Sequence, residues 1–188
     1  MGGLIKQYGA LDWPVYRSQF EALARSIVSQ QLSTKAAATI YARFEQSLEL
    51  NVIPSYVLKI ADDHLRKTGL SRQKVIYLKE LARHFDPYDG QAEHLELLDN
   101  ARIIEELTTI KGIGKWTAEM FLMFYMRRGD IFPIDDLGIR LGMSRLYQLS
   151  PEEKDYRQRL TQIAERWKPY RSIACRYIWQ YYGDVSLK

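Results

Sequence analysis

The sequence predicts an all-α protein, and three observations support that fold class. Apolar residues recur with the period of an amphipathic helix through most of the chain. Residues that favour helix ends separate these segments. Alternation typical of a strand never persists for more than a few residues. We therefore expect roughly nine or ten helices.

The apolar stripes give the helices in chain order. Ser33 and Ser71 can cap helices that begin just after them. Ser150 opens a Ser-Pro-Glu-Glu capping box, and Pro169 is expected to open the last helix. The stripes run over Tyr16–Val28, Ala36–Leu48, Val75–Phe85, Ile103–Leu107, Tyr156–Trp167 and Ile173–Tyr181.

One further helix, beginning near Gly114, is apolar nearly all round. Ala118, Phe121 and Tyr125 share one face, whereas Trp116 lies roughly opposite by the 100° step of a helix. A helix of this kind is buried on several sides. We expect it to be central to the fold.

Composition limits the class of protein. The 188 residues suit one domain or two small lobes that share a core, and a hydrophobic fraction of 46% argues against disorder. The net charge of +4 fits a nucleic-acid partner, but it fits an ordinary basic enzyme equally well. No stretch approaches the roughly 18 apolar residues of a membrane span, and no signal core is present, so we expect a soluble intracellular protein.

The cysteine and histidine content argues against a metal cofactor. Cys175 is the one cysteine, so it can form no disulfide within the chain and no four-cysteine zinc or iron–sulfur site. The three histidines lack metal-ligand spacing. We expect no iron–sulfur cluster and no required cofactor.

The segment from Leu107 to Ala118 predicts a helix, a tight hairpin and a second helix. Its glycines allow positive φ and leave backbone N–H groups open to an anion, to which the second helix adds its positive end. A plain turn between helices, with glycine as a C-cap, is the alternative. The residues expected to bind a DNA phosphate are Lys111, Gly112, Gly114, Lys115 and Thr117.

This hairpin, followed by the loop Phe132–Gly138 with its aspartates, resembles the helix-hairpin-helix motif of the DNA glycosylase superfamily. The segments Ser26–Ser33 and Arg166–Ser172 agree with the same family, and the resemblance extends from about Phe20 to Trp179. The subfamily it most resembles is 3-methyladenine DNA glycosylase II, in a short single-domain form.

The resemblance implies two helical lobes with a DNA-binding cleft between them. About 30–135 would form one lobe, and the N-terminal segment plus 136–188 the other, within one glycosylase domain over 1–188. It also implies a partner, double-stranded DNA with damaged bases, and we expect a monomer. The location would be the cytoplasm with its nucleoid, or the nucleus in a eukaryote.

Asp136 matches the position of the family's catalytic aspartate relative to Trp116, and Asp135 is its rival. Either residue could instead simply cap the helix that begins near Leu137. A carboxylate suits the chemistry, because breaking a base–sugar bond develops positive charge on the sugar. The resemblance implies that Asp136 is catalytic.

Trp116 stands where family members that also cut the strand carry a lysine, so the resemblance implies a monofunctional, hydrolytic enzyme. It also places Trp116, Trp179 and Met120 at the base pocket. Alkylation makes a purine cationic, and an aromatic face attracts a cation. Core packing is the alternative for each of these side chains.

A wedge must fill the hole that an extruded base leaves. The resemblance implies Gln31 as the wedge and Leu70 as a second one. The alternatives are a helix-end amide that bonds nearby backbone for Gln31, and a hydrophobic staple before the Ser71 cap for Leu70.

The family often holds Na⁺ or K⁺ at the hairpin. By position, the resemblance implies the backbone carbonyls of Thr108, Ile110 and Gly112 as its ligands. No side chain indicates this site.

The resemblance therefore predicts a monofunctional glycosylase that flips out and excises alkylated purines, of the 3-methyladenine or 7-methylguanine type, and leaves an abasic site. A glycosylase for an oxidised or deaminated base is one alternative. A helix-hairpin-helix protein that only binds DNA is the other.

Overall fold

The computed structural model describes residues 1–186, and within them it contains helices but no strand. The prediction of an all-α fold is confirmed. Short helices such as α7 raise the number in this part of the chain to twelve, because a single turn carries no periodic stripe. The α-helices are α1 (Gly2–Tyr8), α2 (Gln19–Ser29), α3 (Thr34–Ser47), α4 (Pro54–Lys59), α5 (Asp62–Lys67), α6 (Arg72–Phe85), α7 (His94–Leu97), α8 (Asn100–Thr108), α9 (Lys115–Met120), α10 (Leu137–Tyr147), α11 (Tyr156–Glu165) and α12 (Arg171–Ser186).

The chain forms two compact units. The central unit is Val15–Phe121, and the terminal unit combines Met1–Pro14 with the chain from Leu122 onward. Both boundaries fall earlier than the positions near 30 and 135 that the sequence suggested. That the chain acts as one domain with a cleft stays a prediction.

In the central unit, α2 packs against α3 and α6, and α6 also contacts α4 and α5. Side-chain oxygens cap four of its helices: Ser18 caps α2, Ser33 caps α3, Ser71 caps α6 and Asp99 caps α8. The caps predicted at Ser33 and Ser71 are confirmed. The core includes the fully buried side chains of Phe20, Leu23, Ile27, Leu78, Leu81 and Phe85.

In the terminal unit, α12 packs against α10 and α1. The Ser150 capping box forms, since the Ser150 N–H donates to Glu153 Oε1 at 3.3 Å and the Glu152 N–H donates to Ser150 Oγ at 3.4 Å. However, it closes only a turn, and α11 begins later, at Tyr156. Pro169 likewise precedes α12 without opening it, because α12 begins at Arg171.

The helix predicted from Gly114 is shorter than its apolar pattern indicated. It is α-helical over Lys115–Met120 and continues as a π-helical segment over Phe121–Tyr125. Most of its apolar side chains are buried, as predicted for a helix that is apolar nearly all round, but Trp116 is exposed. Short π-helical segments are frequent at functional sites, because the wider turn changes which side chains share a face.

None of the helices in the described part of the chain has the length and apolarity that crossing a bilayer requires.

Candidate functional site

The N-terminus of α12 fixes the loop that leads to Asp136. The Ser172 hydroxyl donates to the Arg128 carbonyl at 2.6 Å and accepts the Ile131 N–H at 2.9 Å. Arg171 binds Asp130 through two hydrogen bonds, of 2.6 and 3.0 Å. This pairing lowers the pKa of the Asp130 carboxyl below its usual 3.8. The loop is therefore held at one end by both backbone and charged contacts.

Asp136 is the N-cap of α10, and its carboxylate is held by two donors. Its Oδ1 accepts the Ile139 N–H at 2.8 Å and the Trp179 indole N–H at 2.8 Å. The side chain is half-buried. The structure thus confirms the capping interpretation, and it leaves the carboxylate in one orientation. The catalytic role stays a prediction.

Asp135 has a different environment. It is exposed, and its Oδ1 accepts a hydrogen bond from Arg157 at 2.6 Å on the surface. An exposed ion pair of this kind contributes little to stability. The geometry therefore favours Asp136 over its neighbour as the functional carboxylate.

Trp179 stacks on Phe124 beside Asp136. The ring centroids lie 5.8 Å apart with an interplanar angle of 26°. Gly138 permits this approach, because a Cβ there would lie 3.0 Å from Trp179 Cδ1 and 3.2 Å from Asp136 Oδ1. Trp179 is thus fixed both by its indole N–H and by its ring face, as a rigid pocket wall requires.

A cleft of about 540 Å³ adjoins these two rings in the terminal unit. Sequence reasoning missed most of its wall. Arg176 could have been found, because it lies three residues before Trp179 and so on the same face of α12. Nothing in the N-terminal segment signalled its part. The polar and aromatic residues of the wall are Tyr8, Asp12, Phe124, Arg176, Trp179 and Gln180.

Contacts with α12 hold the N-terminal segment in place. The Arg176 guanidinium lies 3.8 Å from the centroid of the Trp13 ring and donates to the Asp12 carbonyl at 2.5 Å. Tyr177 donates to the Gly9 carbonyl at 2.6 Å. Burial lowers the pKa of the Arg176 guanidinium. These contacts make the N-terminal residues a fixed wall of the cleft.

The predicted hairpin forms between α8 and α9 in the central unit, with different roles for its two glycines. Gly112 has φ +98°, and a Cβ there would lie 2.3 Å from Tyr77 Cγ, so only glycine fits. Gly114 does not use the positive φ that glycine allows. It is the N-cap of α9 with φ −97°, a conformation open to any residue.

Lys111, Gly114 and Lys115 are exposed at the hairpin, as binding a phosphate requires. Lys115 Nζ also lies 3.7 Å from Glu119 Oε1. Thr117 departs from its prediction: it is 4% exposed, so the structure does not present its hydroxyl at the surface. Its side chain is buried with the rest of α9 beyond Trp116. The phosphate-binding role of the hairpin stays a prediction.

Two of the three carbonyls suggested for a cation already accept hydrogen bonds. The Ile110 carbonyl accepts the Ile113 N–H at 3.0 Å, and the Gly112 carbonyl accepts the Gln30 side-chain amide at 3.0 Å. The Thr108 hydroxyl donates to the Ile104 carbonyl at 2.7 Å. A carbonyl has two lone pairs, so a cation site there stays a prediction. Residues 1–186 contain no cluster of His, Cys, Asp and Glu suited to a metal ion.

The two wedge candidates differ. Gln31 is exposed in a turn with φ +57°, a left-handed conformation that is strained for a residue with a side chain. Leu70 is 4% exposed, so the structure contradicts its prediction as a wedge. It lies just before Ser71, which caps α6, and this placement supports the staple interpretation instead.

The two predicted pocket residues of α9 also differ. Trp116 is 45% exposed and lines a second cavity of about 600 Å³, within the central unit. Gln31 lies on the wall of the same cavity, together with Tyr16 and Arg25. Met120 is 8% exposed and belongs to the core, so the packing alternative describes it better than the pocket does.

Comparison with known proteins decides the family. Residues 24–169 match the HhH-GPD superfamily of base excision DNA repair proteins. The chain belongs to that superfamily. The resemblance found in the sequence is confirmed, including the subfamily, since several of the related proteins are named 3-methyladenine glycosylases.

Two yeast proteins are similar over most of this chain. DNA-3-methyladenine glycosylase 1 of Schizosaccharomyces pombe is 36% identical, over 87% of this chain and 72% of its own length. DNA-3-methyladenine glycosylase of Saccharomyces cerevisiae is 35% identical, over 88% of this chain but 58% of its own length. The chain therefore spans between about half and three quarters of these relatives.

Solved structures agree with the fold. DNA-3-methyladenine glycosidase from Bacillus halodurans superposes with a TM-score of 0.84 at 35% identity, covering 100% of this chain and 86% of its own. The Schizosaccharomyces pombe 3-methyladenine DNA glycosylase in complex with abasic DNA gives 0.79 at 33% identity, covering 95% and 89%.

Proposed function

We propose that this protein is a monofunctional DNA-3-methyladenine glycosylase of base excision repair. It extrudes an alkylated purine from double-stranded DNA, hydrolyses the bond between base and sugar, and leaves an abasic site. Membership of the superfamily and the activities named for the two yeast relatives support the reaction class. The residues described above support the steps.

The observation that carries the proposal is the setting of Asp136. Two donors, Ile139 N–H and Trp179 Nε1, bind one carboxylate oxygen and fix the group at the N-terminus of α10. A carboxylate held in place stabilises the positive charge that develops on the sugar, because it needs no reorganisation during the reaction. It can also orient or deprotonate the attacking water.

The substrate class follows from the aromatic surroundings. Trp179 offers a ring beside the carboxylate, and Trp116 offers an exposed ring in the central unit. A cationic alkylpurine gains about 0.5–2 kcal/mol on an aromatic face. Such a base is already a good leaving group, so the reaction needs no strong general acid.

Hydrolysis without strand cutting follows from Trp116. A lyase needs an amine that forms a Schiff base with the sugar. Trp116 stands at that position, and the neighbouring Lys115 lies beside Glu119, 3.7 Å from its carboxylate. Borohydride should therefore trap no covalent complex between this protein and damaged DNA. A trapped adduct would contradict the monofunctional assignment.

The deciding experiment is incubation of the protein with a panel of duplexes that carry single lesions. We expect release of free 3-methyladenine or 7-methylguanine, measured by chromatography, and an intact strand with an abasic site. Release of only oxidised or deaminated bases would indicate a glycosylase for another lesion. Tight binding with no released base would indicate a DNA-binding protein.

A further inference from the structure

Lys74 of α6 binds the C-terminal end of α2. Its ammonium donates to the Val28 carbonyl at 2.7 Å and to the Gln30 carbonyl at 2.8 Å. The last carbonyls of a helix lack intrahelical donors, and a cation is favourable there. Gln30 immediately precedes Gln31, so Lys74 fixes the backbone that carries the exposed wedge candidate.

The side chain of Gln30 binds the hairpin, which lies far away in the sequence. Its amide donates to the Gly112 carbonyl at 3.0 Å, across 82 positions of sequence. Gln30 thus accepts a hydrogen bond from α6 with its backbone and donates one to the hairpin with its side chain. One residue links three segments of the central unit.

Tyr77 supports the hairpin from the same helix. A Cβ on Gly112 would lie 2.3 Å from Tyr77 Cγ, so the glycine backbone packs directly on this ring. Tyr77 follows Lys74 by three residues, and residues at that spacing share one face of a helix. One face of α6 therefore supports both the turn at Gln31 and the hairpin at Gly112.

The turn itself needs this support. Gln30 has φ −51° and ψ 131°, Gln31 has φ +57°, and the Leu32 N–H donates to the Ser29 carbonyl at 3.2 Å. These are the features of a type II turn, in which glycine is preferred where Gln31 stands. A side chain there is strained, and strained residues persist only where their surroundings hold them.

We propose that Gln30 and Lys74 are positioning residues that join the wedge turn to the phosphate-binding hairpin and hold Gln31 outward before DNA arrives. The inference rests on the proposed function. The hairpin binds the DNA backbone, and the contacts of Gln30 and Lys74 determine where the wedge enters the base stack. Extrusion of the base is then the step that depends on the two residues.

The chain offers a matched control on the same helix. Lys79 donates to the Leu58 carbonyl at 3.0 Å and to the Ile60 carbonyl at 2.6 Å, at the end of α4. Lys79 thus binds a helix end as Lys74 does, but it touches neither the wedge turn nor the hairpin. A merely structural role for Lys74 predicts that Lys74→Met and Lys79→Met behave alike.

The test compares Lys74→Met, Gln30→Met and Lys79→Met with the wild type. Single-turnover excision of 7-methylguanine is measured in a fully paired duplex and in a mismatched one, where extrusion costs less. Fluorescence of 2-aminopurine next to the lesion reports extrusion, and urea denaturation reports stability.

We expect Lys74→Met and Gln30→Met to lose roughly tenfold or more in excision rate on the paired duplex and to regain the wild-type rate on the mismatched duplex. Lys79→Met should excise like the wild type even where it is equally destabilised.

Three results would overturn the inference. They are equal losses in Lys74→Met and Lys79→Met, losses that do not depend on pairing, and wild-type rates in both Lys74→Met and Gln30→Met. The fluorescence separates this inference from the proposed function. If the wild type extrudes the damaged base next to 2-aminopurine but releases no free base, the proposed reaction fails. The fluorescence of the variants then still decides the positioning role. If no protein changes the fluorescence, the positioning inference fails, whereas the proposed reaction is still decided by the release of free base.

Discussion

At the scale of single residues, two neighbouring aspartates have different environments. The sequence offered both, and local chemistry alone could not separate them, because either can cap a helix. Asp136 caps α10 and binds Trp179, whereas Asp135 binds Arg157 at the surface. The difference arises from α12, which comes much later in the chain, so it could be seen only in the structure.

Asp136→Asn tests the carboxylate's charge while keeping its shape. Asparagine is an equally good N-cap, so the free energy of unfolding should change by less than about 1 kcal/mol. Excision should fall by about 100-fold or more, because the charge that stabilises the transition state is lost. DNA binding should persist in a gel-shift assay. The matched variant Asp135→Asn should keep wild-type excision, and normal turnover by Asp136→Asn would contradict the assignment.

The two hairpin glycines also differ in how well they should tolerate a larger residue. Gly112→Ala places a Cβ inside the Tyr77 ring and strains a positive φ, so we expect a loss of about 1–3 kcal/mol in stability and weaker DNA binding. Gly114→Ala meets no neighbouring atom within 4 Å and should cost about 1 kcal/mol as a poorer N-cap. Thermal melts and DNA titrations measure both. Equal effects would show that Tyr77 does not support the hairpin.

At the scale of elements, helix periodicity predicted where most helices lie, and long-range contacts determined the rest. The sequence could not show that Ser172 would be fully buried and bind the loop backbone near Ile131. It also could not show that the helix after Gly114 would change to a π-helical segment. The stripes record which residues are apolar, but they do not record the hydrogen bonds that end or widen a helix.

The link between α12 and the loop before Asp136 predicts a specific pH dependence. Arg171 lowers the pKa of Asp130 below 3.8, so the pair stabilises the fold above that pH and loses its contribution as the pH falls further. In urea denaturation, Arg171→Gln should be about 1 kcal/mol less stable than the wild type at neutral pH. This difference in stability should disappear as the pH falls through the lowered pKa of Asp130. A gap that stays constant with pH would mean that the ion pair is not its cause.

At the scale of the whole molecule, the mild net charge of +4 is weak evidence for a nucleic-acid partner, and the positions of the charged residues are more informative. Lys111 and Lys115 are exposed at the hairpin, where each can neutralise one phosphate. Their expected role came from the hairpin pattern and the resemblance, because composition alone fits many basic proteins. Superfamily membership now supports that role without testing the individual residues.

The salt dependence of DNA binding tests the two lysines. Changing one of them to alanine should make the negative slope of log K against log salt shallower by about 0.9, because one fewer counterion is released. Lys154→Ala, an exposed lysine outside the hairpin, serves as the control and should leave the slope unchanged. Fluorescence anisotropy at several salt concentrations gives the slopes. An unchanged slope in both hairpin variants would place the phosphate contacts elsewhere.

The left-handed turn at Gln31 has a consequence for which side chains this position can accept. The side chain leaves the turn into solvent, and its backbone is held by Gln30 and Lys74. The side chain at this tip can therefore be exchanged while the supporting contacts stay the same. Asparagine, which tolerates this conformation well, would shorten the tip at little cost to folding. Under the proposed wedge role, length and chemistry at this one position can therefore change without a redesign of the fold.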